Sequence, residues 1–270
     1  MSMSASPDLE VDLLRAATDR LLARIAPLTE ADARGQAALP GWTRGHVLTH
    51  IARNADAHWR MTDAALAGRL VTMYEGGRPA RTRTIEEQHG RPVDILIDDV
   101  RASAERLHAL LGGISSADAW ERLTQPGGDG TATRSVRDGI LSRFREVEVH
   151  HLDLDLGWTS ADWAEAYVRA DLAEVVQSLP SWAKDAPAGV SWQLRDETNG
   201  AEWTVSADST QAGPASGEAA GASTATHAVR APGHALLAWL LGRQPAAPIS
   251  IERSDDEVAA LALPRYFPFG

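Results

Sequence analysis

The chain has 270 residues, a net charge of -11 and an ordinary composition, 44% hydrophobic and 23% charged. Neutralising phosphates requires clustered Lys and Arg, so this balance argues against a nucleic-acid partner, and no run reaches the roughly 18–20 apolar residues of a membrane span. There is no cysteine, which excludes disulfides, iron–sulfur clusters, Cys-type zinc sites and cysteine nucleophiles. Any metal must be held by His, Asp or Glu, and any thiol chemistry must use a thiol brought by another molecule.

The N-terminal "MSMSASPDLEVD" has neither the basic nor the apolar region of a secretory signal, so a cytoplasmic location is expected. Residues 8–25 place Val11, Leu14, Ala17, Leu21 and Leu22 on one helical stripe. A short helix is expected from Thr29. After "LPGW", Thr43 can cap a long helix over 43–68 with Val47, Leu48, Ile51, Ala55 and Trp59 as its apolar face. A loop with "EGGRPAR" follows, then a third long helix over 84–112 carrying Ile95, Leu96, Val100, Leu107, Leu110 and Leu111. "PGGDG" (126–130) reads as a plain loop, and a fourth helix is expected over 133–154. Four such helices predict a four-helix bundle.

Beyond Gly157 the texture changes. Residues 160–179 read as a linking helix, followed by strands over 190–196, 202–207 and 226–231. The Gly/Ala/Ser-rich stretch 208–225 reads as a flexible hairpin loop. Pro232 opens a further helix, and a strand "ISIER" and a short helix over 255–262 end a small α+β domain. The predicted division is therefore 1–160 and 161–270, in a mainly α protein.

Two stretches carry chemistry. In "REVEVHHLDLDLG" (145–157), Glu146 and His150 are four apart and share a helix face, so both can grip one ion. His151 lies about 100° around from His150 and falls on an otherwise apolar stripe. Glu148 and Asp155 read as solvated helix charges. In "HVLTHIARNADAHW", His46, His50, Asn54 and His58 recur at four-residue steps, with His50 best placed to point inward. Taken alone, a Glu–His pair at this spacing is more often a surface contact. With His50 added, two helices would supply two imidazoles and a carboxylate, a set used for catalytic zinc and equally for non-haem iron.

"LPGWTRGHVLTHIARNADA" together with "SRFREVEVHHLDLDLG" resembles the mycothiol-dependent maleylpyruvate isomerase family, a branch of the DinB-like metalloproteins. The resemblance implies a DinB-like four-helix bundle over 1–160 and an appended sterol-carrier-like α+β domain. It implies zinc held by His50, Glu146 and His150; the common DinB pattern has two histidines where Glu146 and His150 stand, and Glu146 marks the isomerase branch. It implies Arg243, in "LLGRQ" at the end of a C-terminal helix, as the residue meeting the substrate's anionic groups. A basic residue there equally suits the helix macrodipole. Asn54 is a candidate for contact with thiol or substrate, and Asp153 for orienting a ligand imidazole.

The implied activity is a thiolate-mediated cis–trans isomerisation of maleylpyruvate to fumarylpyruvate, with mycothiol as cofactor and a small anionic substrate. A mycothiol S-transferase acting on another electrophile would need the same ligands. A non-enzymatic metal or small-ligand binding protein is a third reading. Fe2+ or another divalent ion suits the ligand types as well as zinc, and a monomer or weak homo-oligomer is expected.

Overall fold

The computed structural model describes residues 6–126, 132–182, 191–206 and 226–252. They form two compact units, Met1–Trp158 and Thr159–Gly270. Among the described residues no helix is long and apolar enough to cross a membrane.

The first unit is built on four long helices: α1 (Pro7–Ile25), α3 (Arg44–Leu66), α5 (Val93–Gly112) and α7 (Val136–Asp153). α1 and α3 each pack against both α5 and α7, closing a four-membered ring around one core. Leu14, Leu21, Leu48, Ile51, Leu96, Leu107, Phe144 and Val147 fill it, each removed from water. Burying such a side chain contributes about 1.5–3 kcal/mol, so this shared core is the main reason marginal helices hold together. Short α2 (Glu30–Arg34) starts at Thr29, whose side chain caps the Asp32 amide while Asp32 returns the contact. α3 starts with an unusual box in which His46 Nδ1 accepts from the Thr43 backbone N–H at 3.1 Å.

The expected single helix over 84–112 is two elements. α4 (Gly77–Gln88) begins inside the stretch read as a loop, and α5 begins after Pro92. Pro92 has no N–H to continue a helical ladder and disfavours helix at Arg91, which breaks the chain there. Ile95, expected in the core, is exposed at the start of α5. Short α6 (Ala117–Trp120) and a two-stranded ribbon, β1 (Leu123–Thr124) with β2 (Arg134–Ser135), lead into α7. All of "PGGDG" except Pro126 lies outside the described residues.

In the second unit a 3-10 turn (Ser160–Asp162) and α8 (Glu165–Trp182) precede a four-stranded sheet. The strands are β3 (Ser191–Asp196), β4 (Glu202–Ser206), β5 (Thr226–Ala231) and β6 (Ser250–Glu252), in the order β4-β3-β5-β6. β3 pairs antiparallel with β4 and parallel with β5. β4 and β5 are therefore not hairpin partners, contrary to the expectation; stretch 208–225 itself lies outside the described residues, as does 255–262. α9 (Gly233–Leu240) packs on α8 and on the sheet, burying Leu236, Leu237 and Leu240 with Trp192, Leu194 and Val229.

One close approach fixes the start of α3. A Cβ on Gly45 would stand 2.3 Å from the His89 carbonyl oxygen, in the connection between α4 and α5. Arg34 pins that connection by donating to the carbonyls of His89, Gly90 and Arg91. Gly45→Ala is expected to lower stability by about 1–3 kcal/mol through overpacking. Thermal melting of the full chain checks this, and an unchanged midpoint would mean that the pinned segment can withdraw freely.

Candidate metal centre

α3 buries an apolar set that includes Val47, Leu48, Ile51 and Ala55, yet its buried residues also include His46, His50, Asn54 and His58. Polar side chains in a helix core are costly without partners. For His50 the partners come from α7. His50 Nε2 lies 2.9 Å from Glu146 Oε2 and 2.9 Å from His150 Nε2, and Glu146 Oε2 lies 3.4 Å from His150 Nε2. Ligands about 2.0–2.2 Å from one ion at tetrahedral angles stand roughly 3.3–3.5 Å apart, so contraction by a few tenths of an ångström is the only difference. The two imidazoles meet edge to face with centroids 4.4 Å apart, so their Nε2 atoms converge while their rings stay clear. This donor set fits a divalent ion.

The surroundings orient two of the three side chains. His150 Nδ1 lies 2.8 Å from buried Asp153 Oδ2, three residues on, which aims Nε2 at His50. A carboxylate behind an imidazole fixes its tautomer and raises its basicity. The Trp42 ring stands edge-on to His50 at 6.0 Å and shields it from solvent. Glu146 is the open side, with 13% of its side chain exposed against 2% for His50 and 1% for His150.

Burial and the neighbouring His150 push the His50 imidazole down to about 4, against the pull of Glu146. Burial works against His150 too, but Asp153 and Glu146 prevail and raise it. For Glu146, burial is overcome by the hydrogen bonds and charges of His150 and His50, which hold it well below the usual carboxylate range. One histidine is thus kept neutral and the carboxylate ionised, the states a metal ligand needs.

Asn54, one turn beyond His50, is fully buried and accepts from Arg143 Nη1 through Oδ1 at 2.7 Å. His58 is buried another turn on, where burial and Arg143 push it down to about 3. Arg243 belongs to the second unit, just past α9, where its Nη1 donates to the Leu241 carbonyl at 3.0 Å. His151 stacks on Trp158 with centroids 4.1 Å apart. Glu148 is not a solvated charge: it is 1% exposed, on the face of α7 toward α1, and accepts from Arg20 at 2.8 Å. Spacing to His150 marks Glu146 in "REVEVHH", but that Glu148 is a buried structural carboxylate and not a solvated one follows from the packing of α1.

Sequence reasoning missed Arg81, Tyr74 and Arg143. Arg81, on α4, donates from Nη2 to His50 Nδ1 at 3.0 Å. Tyr74 sits beside it, pushed up by burial and by Glu146 and pulled partway back by Arg81 and Asn54. Arg81 and Tyr74 flank or lie within a stretch read as loop, so no periodicity marked them. Arg143 was legible as a lone arginine on an apolar face, three residues before Glu146. A second group of possible ligands, His46, Glu86 and His89, is less suitable. The His46 and His89 rings lie stacked at 3.5 Å and 15°, so their in-plane lone pairs cannot converge on one ion.

No curated protein sequence matches the chain. Two solved structures match over 93% of this chain and 95% of theirs, with TM-score 0.76 and 23% identity. One is the mycothiol-dependent maleylpyruvate isomerase and the other is a variant of it with one histidine replaced by alanine. At that identity the likeness is one of fold. The model of the mycothiol maleylpyruvate isomerase N-terminal domain matches residues 14–155, more than half of the chain and the whole span of the triad. The chain is a member of that family.

Proposed function

We propose that the chain is a metal- and mycothiol-dependent enzyme whose reaction is the isomerisation of maleylpyruvate to fumarylpyruvate. The observation that carries this reading is the convergence of His50 Nε2, Glu146 Oε2 and His150 Nε2 within 2.9–3.4 Å. Family membership and the shared fold support it. Zinc is the favoured ion, since two nitrogens and one carboxylate oxygen with an open side are a catalytic zinc set. A divalent ion held there would keep a coordinating thiol as thiolate.

The chain's residues then have defined tasks. His50, Glu146 and His150 bind the ion, Asp153 holds the His150 Nδ1 proton, and Trp42 keeps water from the far side of His50. The reaction balances without net change of atoms. The thiolate sulfur forms a bond to one alkene carbon, and the electron pair moves to the conjugated carbonyl oxygen as an enolate. The bond between the former alkene carbons rotates, the pair returns, and the carbon–sulfur bond breaks to release the thiolate. Donors near the enolate and the carboxylates stabilise the charge that develops.

Two outcomes are expected. Protein purified without chelator should hold about one divalent ion per chain by elemental analysis, and His50→Ala should lose it. Asp153→Asn should weaken metal affinity about 10–100-fold through loss of the orienting carboxylate. The second concerns activity: maleylpyruvate absorbance should fall only with mycothiol and metal both present. A stable thioether as sole product would instead identify an S-transferase, and loss of neither substrate would remove both readings.

A further inference from the structure

Arg143 is 1% exposed, yet among the described residues neither it nor Arg81 is in an ion pair. Arg143 uses Nη1 on the Ile51 carbonyl at 3.0 Å and on Asn54 Oδ1 at 2.7 Å. Its Nη2 has no hydrogen-bond partner, and neither does Nδ2 of fully buried Asn54. Buried arginines are normally paired, because an isolated buried charge is expensive. Two unused donors side by side, both beyond reach of water, mark a place for an acceptor.

Arg81 presents the complementary anomaly. Its Nη2 donates to His50 Nδ1, which must therefore be an acceptor. A neutral imidazole has one acceptor and one N–H. When Nε2 binds an ion, Nδ1 carries the proton and cannot accept from a guanidinium, so the Arg81 donors are released. Metal-ligating histidines ordinarily turn that N–H to a carboxylate or carbonyl, and Arg81 is neither. Arg81 and Tyr74 also line a cavity of about 190 Å3 on the surface between α3 and α4. Its other arginines are engaged: Arg53 pairs with Asp56 and Asp99, and Arg60 donates to the Thr72 carbonyl. Of the carboxylates near these guanidiniums, Asp56 is held by Arg53 and Arg106 and Glu146 by His50 and His150, while Glu75 also lines the cavity.

We propose that Arg81 and Arg143, with Asn54 and Tyr74, form a carboxylate-binding subsite beside the triad, which holds an acid group of the electrophile within the four-helix unit. This rests on the metal-and-thiol reading and adds to it a specificity: uncharged electrophiles are poor substrates. Arg81 is the residue to change, because Arg143 lies in the core and its replacement can prevent folding. Titration calorimetry of the zinc-loaded full chain with succinate, a saturated dicarboxylate that cannot accept a thiolate, reads the subsite without turnover. Arg81→Gln should weaken succinate at least tenfold at unchanged zinc content, and Arg81→Lys should recover part of the loss. Affinity of Arg81→Gln within twofold of the unaltered protein overturns the subsite, as does a zinc-loaded unaltered protein that takes up no succinate; in both cases the metal reading stands. A chain that takes up no zinc overturns both.

Discussion

The Arg44 guanidinium ties the start of α3 to the end of α7, donating to the Leu154 carbonyl at 2.7 Å and the Asp155 carbonyl at 3.1 Å. Leu154 caps α7 and its carbonyl is left without an intrahelical donor, and a cation is the favoured partner for that end of the macrodipole. The Ala38 amide adds a bond to the Asp153 carbonyl at 2.8 Å. His50 lies six residues into α3 from Arg44, and His150 four residues back along α7 from Leu154. The strap therefore sets the level at which the two imidazoles face each other. Slippage by one turn, about 5.4 Å, would carry the two Nε2 atoms too far apart to share one ion. Asp155 takes a left-handed φ of 52° and Gly157 one of 80° at this corner, so that the chain turns away while both carbonyls stay within reach.

α7 also shows how one helix carries carboxylates with opposite purposes. Glu148 meets Arg20, and on α1 Glu10 meets Arg137 at 2.9 Å, each a buried acid closed off by an arginine across the α1–α7 interface. Such pairs offset the cost of burial and leave nothing over for a ligand. Glu146 faces two imidazoles, whose protonation competes with any ion, and keeps an edge toward solvent. Arg143, one turn earlier, is buried without a carboxylate of its own. Charge is satisfied on the face toward α1 and left open on the face toward α3.

In the second unit the sheet and α9 close over Trp192, Leu194 and Leu236 with apolar contacts, although buried His227 leaves both ring nitrogens without a hydrogen-bond partner. Asp196, buried at the end of β3, accepts from the Thr198 amide and shapes the turn that follows. Its carboxylate occupies the space a side chain at Gly233 would need, so α9 can begin only with glycine there.

The sequence by itself determined the helices of the bundle, the strands of the second unit and the pairing of Glu146 with His150. These rest on periodicity, capping and i,i+4 spacing, which are properties of neighbouring residues. The resemblance in "LTHIARNA" and "REVEVHH" also singled out His50 as the third member, although nothing local links positions almost a hundred residues apart. Tertiary structure alone decided the rest. Whereas the break at Pro92 has a local cause, tertiary structure placed β5 beside β3, buried Glu148 against Arg20, and brought Arg81 to His50 from a stretch with no periodic signal. Each of these depends on which surface a distant segment presents. Whether a charge is solvated, paired or left open is decided by the neighbour it meets, and that neighbour is chosen by the packing of the whole unit.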